Sequence, residues 1–199
     1  ITKISSSDIK YAKEFDCVIK LLGIARERQE QIEAYVCPML LPADHPLATV
    51  RGSFNAVFVH GDAVDDVMFY GRGAGEFPTA SAVVGDVIDV MRNMEYGCTG
   101  RIGCGCYRSV PVKQFRDVKN KFFIRMQVIN RPGVLAAIAG ELGRHKVSIS
   151  KVVQKVITKG SAELVIVTED VKEYHMSEAL EDLKELEPVQ EISSVIRSY

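Results

Sequence analysis

The sequence lacks the features that mark a membrane-spanning or nucleic-acid-binding protein. No apolar run approaches the roughly 20 residues that a membrane-spanning helix needs. Lys and Arg number 25 against 26 Asp and Glu, which gives a net charge of −1. Because the basic residues are also scattered, no electrostatic surface for nucleic acid or an anionic membrane is indicated. These absences favour a globular protein that binds neither partner.

Other absences concern the ends of the chain and its cysteines. The chain begins without an initiator Met and without the apolar core of a signal peptide. We therefore expect it to be a piece of a longer protein. Its five cysteines are an odd number, and Cys17 and Cys37 lie inside apolar runs. This pattern favours a reduced, cytoplasmic protein in which these two thiols are small core residues.

Residues 1–95 predict a mixed sheet with helices. Ser5 to Asp8 can cap a short helix, and Cys17–Ala25 with Ile32–Cys37 are apolar runs typical of a strand and its return. The prolines that follow predict a segment that is not a central strand, because proline cannot donate to a sheet; they are Pro38, Pro42 and Pro46. His45 in this segment is interpreted as a turn histidine bonded locally, although the neighbouring Asp44 also resembles an acid/base partner.

A glycine-rich turn is the clearest candidate site in this half. Residues 53–60 and 65–70 predict a hairpin, and its second strand leads into Gly71, Gly73 and Gly75. From Pro78 to about Met94, apolar residues recur every three or four positions, which predicts a helix with one face toward a core. Free amides before that helix favour an anion or a carbonyl group. A tight connection without a ligand remains the alternative interpretation.

Residues 96–119 are predicted to be a linker, because glycines and basic residues replace the apolar periodicity. This segment also contains three cysteines, at positions 98, 104 and 106. Zinc sites pair cysteines two to four residues apart and need four ligands, so Cys98, Cys104 and Cys106 form a poor cage and no metal is predicted. Loop cysteines without a function are the leading interpretation, and redox sensitivity is the second.

Residues 120–199 predict a compact α+β domain. Phe122–Val128 reads as a strand, and helical spacing begins after the turn at Asn130 to Gly133. Two alternating strands, a second helix and a final strand complete the order βαββαβ. This order is a split βαβ unit, with two helices on one face of a four-stranded antiparallel sheet in a ferredoxin-like fold.

The residues of this unit resemble the ACT domain, a small-molecule-sensing module. The resemblance rests on Asn130-Arg-Pro-Gly-Val-Leu at the start of the first helix and covers about residues 122–197. It implies side-by-side pairing and an amino acid, threonine above all, bound at the interface. By this resemblance Asn130 and the Gly133 amide hold the polar ends of the effector, and Ser148 stands where some relatives have asparagine.

The first half resembles the later part of the catalytic region of homoserine dehydrogenase. Five stretches carry this resemblance: Asp8-Ile-Lys-Tyr-Ala, Ile19-Lys-Leu-Leu, His45-Pro-Leu-Ala, Asn55-Ala-Val, and Tyr70-Gly-Arg-Gly-Ala-Gly with Pro78-Thr-Ala-Ser-Ala. The resemblance implies NAD- or NADP-dependent interconversion of L-homoserine and L-aspartate 4-semialdehyde, on the way to threonine and methionine. It places Gly75 at the dinucleotide.

The sequence also lacks the dinucleotide-binding motif of that family. No strand is followed by Gly-x-Gly-x-x-Gly and, about 20 residues later, an acidic residue. The family's catalytic lysines lie before the point where this chain begins, so no catalytic residue is assigned here. We therefore expect a C-terminal piece of the enzyme that is inactive alone and forms a homo-oligomer. A free-standing amino-acid sensor and an interaction protein built on the cysteine loop remain alternatives.

Overall fold

The computed structural model describes residues 4–98, 100, 103, 105, 108–158 and 160–199. Its helices are α1 (Ser6–Glu14), α2 (Glu76–Glu95), α3 (Val134–Arg144) and α4 (Glu173–Glu185). Its strands are β1 (Cys17–Arg28), β2 (Gln31–Pro42), β3 (Phe54–Gly61), β4 (Asp65–Arg72), β5 (Lys119–Ile129), β6 (Ile149–Thr158), β7 (Ser161–Thr168), β8 (Val171–Lys172) and β9 (Val189–Ser198). Short 3-10 turns cover Pro46–Thr49 and Phe115–Asp117.

The chain divides into two compact units. The first combines the chain up to Ala43 with Val110–Tyr199, and the second is Asp44–Ser109. The first unit therefore contains α1, β1, β2 and every element from β5 onward. The sequence boundaries at residues 95 and 120 stay a prediction, because they follow the order of the chain, whereas these units follow its contacts in space.

The first unit has the α+β architecture that the sequence predicts. From β5 to β9 the elements follow the order βαββαβ, with the two-residue β8 added beside β5. The strands lie in the order β1-β2-β9-β5-β7-β6. Neighbouring strands from β9 to β6 are antiparallel, which confirms the predicted four-stranded sheet. The β1-β2 hairpin extends this sheet beyond β9.

The sheet has a core on each of its two faces. On β5, Phe122, Ile124 and Met126 belong to a cluster that includes buried residues of α3 and α4. Phe123, between them, belongs to a second cluster with Tyr11 of α1. Successive side chains of a strand point to opposite faces of the sheet. Helices α3 and α4 therefore cover one face, and α1 covers part of the other.

Strand β2 corrects one expectation, because it runs through Pro38 to Pro42 and lies between β1 and β9. The Leu40 carbonyl accepts from the Tyr199 amide at 2.9 Å, so the backbone polar groups of Leu40 face β9. Residues two apart on a strand share that direction. Pro38 and Pro42 therefore face away from β1, and the ladder to β9 covers only Met39 and Leu40. Neither proline interrupts a ladder that needs its N–H.

A buried polar network fixes α1 on the sheet. Arg125 of β5, 6% exposed, donates from Nε to Asp8 Oδ1 at 2.8 Å and from Nη1 to Glu163 Oε1 at 2.7 Å. Ser194 of β9 donates to the same Asp8 oxygen at 2.5 Å. Asp8 also forms a capping box with Ser5 at the start of α1. Burial alone would raise the pKa of Asp8, but these hydrogen bonds outweigh it and hold that pKa below 3.8.

The second unit consists of the β3-β4 hairpin and α2, and both elements occur where the sequence predicts them. The expected core-facing side of α2 is wrong within this chain, because none of its 20 residues is buried. Val87 and Met91, for example, are 52% and 64% exposed. The spacing identifies an apolar stripe but not what covers it. Among the described residues, no helix is long and apolar enough to cross a membrane.

Replacing Asp8 by Asn should destabilise the first unit by about 3 kcal/mol, because the Arg125 charge loses one of its two buried carboxylate partners. Urea denaturation measures this change. The matched control is Glu14→Ala, which removes an ion pair with Lys155 that is roughly half exposed on both sides. Such pairs contribute under about 1 kcal/mol. Equal losses for the two variants would contradict the importance assigned to the buried network.

The same network predicts an acid-dependent stability. Because the folded-state pKa of Asp8 lies below its unfolded value, its contribution is present in full above about pH 4 and is lost as pH falls through the lower, folded-state pKa. Glu33, which Arg26 and Lys113 hold in the ionised form, behaves in the same way. Urea midpoints from pH 7 to pH 2 should therefore fall less steeply for the Asp8→Asn variant than for the unchanged chain.

Candidate functional site

The glycine-rich turn lies between β4 and α2 in the second unit. Gly75 has φ 129° and ψ 148° and directly precedes α2, with no side-chain cap. This conformation is essentially restricted to glycine. The first-turn amides of Glu76 and Phe77 have no acceptor within the helix, and residues 71–77 are all exposed. The turn is open to solvent and offers bare main-chain donors at the positive end of a helix.

Each of the three glycines of this turn has a different structural environment, which decides whether a side chain could replace its hydrogen. Gly71 belongs to β4, and a Cβ there would meet nothing within 4 Å. A Cβ on Gly73 would lie 1.5 Å from Nδ2 of Asn55 on the paired strand. Only Gly75 combines a positive φ with a crowded Cβ position, 3.2 Å from Cδ of Pro78. The sequence pattern indicated the turn, but it did not reveal that Asn55 occupies the space beside Gly73.

His45 behaves as the local interpretation predicts. Its Nδ1 accepts from the Leu47 amide at 3.1 Å and caps the 3-10 turn at Pro46–Thr49. Its ring also lies 4.9 Å, between centroids, from that of Phe58. A histidine that caps a turn is explained without a catalytic role.

The cysteine loop can be described only in part. Cys98 is a free thiol, partly exposed, whose Sγ lies 3.5 Å from the Tyr96 carbonyl oxygen. Cys104 and Cys106 lie outside the described residues. The interpretation of this loop therefore stays a prediction.

The second candidate site is the turn between β5 and α3 in the first unit. Gly133 adopts the left-handed conformation, φ 88°, and directly precedes α3 without a side-chain cap. The backbone N–H of Asn130 donates to the Gly160 carbonyl oxygen at 3.1 Å. The side-chain Oδ1 of Asn130 accepts from Nε2 of Gln154 on β6 at 3.5 Å. Asn130 and Gly133 therefore share one exposed turn with open amides at a helix start.

Ser148 does not join that turn within one chain. It immediately precedes β6, and Gln154, whose side chain reaches Asn130, lies six residues further along that strand. At about 3.3 Å per residue, the strand separates Ser148 from Gln154 by roughly 20 Å. Because β6 is the edge strand of the sheet, Ser148 can meet the Asn130 turn only if it comes from another copy.

Sequence reasoning missed Gln154 because nothing in the alternation of β6 distinguishes it from other exposed polar residues. Its contact with Asn130 depends on strand pairing: β6 pairs with β7, and β7 with β5. No local motif encodes a contact of this kind. A register worked out for all three strands would have been needed to find it.

Comparison with known families gives two matches along this chain. The sequence model of the family described as homoserine dehydrogenase matches residues 1–88. The model described as the ACT domain matches residues 122–188. The glycine turn lies in the first match, and the Asn130 turn lies in the second.

Curated relatives cover the whole chain. A homoserine dehydrogenase of Bacillus subtilis is 40% identical over 99% of the chain, and one of Synechocystis is 41% identical over 99%. The chain covers 46% and 48% of these two relatives. It therefore spans about half the length of the curated relatives it matches.

Solved structures give the same result. The crystal structure of a homoserine dehydrogenase from Thiobacillus denitrificans matches all of the chain at a TM-score of 0.89 and 34% identity, over 46% of its own length. A homoserine dehydrogenase from S. aureus matches 97% of the chain at a TM-score of 0.60 and 28% identity, over 44% of its own length.

The left-handed conformation of Gly133 gives a prediction with an internal control. Gly133→Ala should destabilise the first unit by about 1 kcal/mol or more, because an L-residue is strained at this φ. Gly140→Ala, inside α3 where a Cβ meets nothing within 4 Å, should stabilise it by up to about 1 kcal/mol. Thermal unfolding of the two variants measures both changes, and shifts of the same sign would contradict this prediction.

Proposed function

We propose that this chain, which matches about half the length of homoserine dehydrogenases and the ACT model along its second half, is the later catalytic segment and the regulatory domain of such an enzyme. The enzyme interconverts L-homoserine and L-aspartate 4-semialdehyde with NAD or NADP, in the cytoplasm, during threonine and methionine biosynthesis. The observation that carries this proposal is the open, uncapped turn at Gly75, which lies inside the matched region.

The residues present fit one edge of a dinucleotide. The exposed amides that follow Gly75 can donate to a phosphate oxygen or to a carbonyl group. A side chain at Gly75 would disturb the turn, because its φ is 129° and the Cβ position is crowded by Pro78. The chain offers no dinucleotide fingerprint of its own, so the larger share of cofactor binding belongs to residues outside it.

In this function the segment positions the reaction and does not move protons. The nicotinamide supplies or accepts the hydride. The main-chain amides after Gly75 would hold one edge of the cofactor, and backbone donors have no side-chain rotation that could displace them. No residue of this chain is assigned to proton transfer or to substrate binding, so we propose that the 199 residues alone are inactive.

We test the role of Gly75 in a chimera in which this chain replaces the matching half of the Bacillus subtilis relative. Gly75→Val should weaken NADPH binding at least tenfold, because the strain at this φ costs about 1–3 kcal/mol and displaces the amides. Gly71→Ala is the matched control, since a Cβ there meets nothing within 4 Å, and should change the Kd less than about twofold. Calorimetric titration with NADPH gives both values.

Two results would contradict this part of the proposal. One is an unchanged Kd for NADPH in Gly75→Val. The other is homoserine-dependent formation of NADPH or NADH by the 199-residue chain alone. The thermal midpoint of each chimera shows whether a loss of binding comes from the turn or from unfolding.

The regulatory part of the proposal concerns the Asn130 turn. Asn130 and the open amides after Gly133 suit the carboxylate and amino groups of an amino acid, and threonine is the effector we propose. Ser148 would complete the site from a second copy, because it lies roughly 20 Å along β6 from the residue that reaches Asn130. This arrangement requires a homo-oligomer paired through the exposed edge strand β6, and we extend the pairing to the β3-β4 sheet of the other unit.

We expect threonine to bind the 199-residue chain in calorimetry and Asn130→Ala to weaken that binding at least tenfold, because a buried polar contact to the effector is lost. Asn93→Ala is the control, since the Asn93 side chain donates to Asp89 on its own helix and to no other residue among the contacts described. Sedimentation should show a dimer or larger. A monomer would contradict the shared site. No heat with threonine, other aspartate-family amino acids or branched-chain amino acids would contradict sensing itself.

A further inference from the structure

Three potential metal ligands meet on the helical face of the first unit, two of them at the opposite end of α3 from the Asn130 turn. They are Glu141 on α3, His145 directly after α3, and Asp182 on α4. One donor atom from each lies within 4.8 Å of the other two. His145 Nε2 is 2.8 Å from Asp182 Oδ2 and 3.6 Å from Glu141 Oε1.

The Glu141 carboxylate is the feature that contacts within the protein do not explain. Its side chain is 4% exposed, and its Oε2 pairs with Arg144. Its Oε1 is fully buried and has no hydrogen-bond partner among the described residues. A buried carboxylate oxygen without a donor destabilises the folded state. Because Oε1 faces the imidazole nitrogen of His145, a cation between them would remove that cost.

The proton count supports the same conclusion. His145 Nε2 carries at most one proton, and Asp182 Oδ2 at 2.8 Å is placed to accept that N–H in a hydrogen bond. Glu141 Oε1 then remains without a donor. Glu178 adds a further carboxylate 3.8 Å from His145 Nδ1, so three acidic groups surround this histidine. The cation bonded to Glu141 is Arg144. The cluster therefore has an excess of negative charge and of lone pairs.

We propose that Glu141, His145 and Asp182 bind a divalent first-row metal ion of the zinc type, which joins α3 to α4. One imidazole and two carboxylates suit Zn²⁺, and a water molecule would complete four-coordination. Ligands of tetrahedral zinc lie about 3.3 Å apart, so the exposed Asp182 side chain must shift to widen its 2.8 Å distance from His145 Nε2. Arg144 fixes the second oxygen of Glu141, and Glu178 is placed to orient the ring through Nδ1, as outer ligands do in metal sites.

No local sequence pattern marks this site. Glu141 and His145 are four residues apart at the end of α3, a spacing that many helix ends show without a metal. Asp182 is supplied by another helix, and only the packing of α3 against α4 brings it near. The sequence predicts no metal at the cysteine loop, but its thiols can bind zinc non-specifically, so the experiment must exclude binding there.

The test is a titration of the purified 199-residue chain with ZnCl₂ in calorimetry and with CoCl₂ by visible absorption, after alkylation of accessible thiols. We expect one ion per chain with a micromolar Kd, and thermal stabilisation of at least about 5 °C at a hundredfold excess over that Kd. MgCl₂ at the same concentrations should not compete, because imidazole favours borderline metals over magnesium.

Variants separate the proposed site from adventitious binding. His145→Gln and Asp182→Asn should each weaken zinc binding at least tenfold. His175→Gln removes a partly exposed histidine of α4, the helix that carries Asp182, and should change the Kd for zinc less than about twofold. The thermal midpoint of each variant without metal shows that it is folded, and two independent variants guard against the failure of one. Absence of saturable zinc binding up to millimolar concentration, or full binding by His145→Gln, would overturn the proposal.

Discussion

The ion pair between Arg125 and Asp8 is the constraint on which the architecture of the first unit depends. A guanidinium 6% exposed on the central strand β5 is tolerable only if carboxylates and hydroxyls meet it with good geometry. Asp8 arrives from 117 residues earlier in the chain, and Glu163 approaches from the neighbouring strand. The sheet therefore cannot keep Arg125 buried without α1. The N-terminal segment is part of its folded state.

This constraint changes how the ACT region should be understood. Strand β2 continues the sheet beside β9, and Tyr11 and Ala12 of α1 share a buried cluster with Phe123, Val165 and Ile196. A βαββαβ unit cut at residue 120 would expose that apolar face and would leave Arg125 without Asp8. Any movement of the sheet therefore acts directly on α1 and the β1-β2 hairpin. The sheet of the ACT match and the start of the homoserine dehydrogenase match share one hydrophobic core.

Patterns local in sequence were sufficient to predict the helices and strands, whereas contacts between distant residues determine how these elements pack. Asn130-Arg-Pro-Gly at a strand-to-helix turn and the alternation of β5 to β7 were sufficient for the α+β class, since each depends on neighbours in sequence. Arg125 and Asp8 could not be paired in advance, because an Arg in a strand and an Asp in a capping box are both ordinary alone. The apolar stripe of α2 shows that even a correct local pattern can be incomplete. Spacing of 3.6 residues identifies the apolar side of a helix but not whether this chain covers it.

The glycine turn shows why a motif must be divided into its residues before it supports a function. Gly73 is required by Asn55, whose side chain occupies the space of a Cβ, so that glycine is explained by packing alone. Gly71 lies in a regular strand with open space around it. Gly75 remains, with a φ of 129° and a Cβ position that Pro78 crowds. This backbone conformation is essentially restricted to glycine, and Gly75 is therefore the residue of the turn on which the proposed cofactor contact depends.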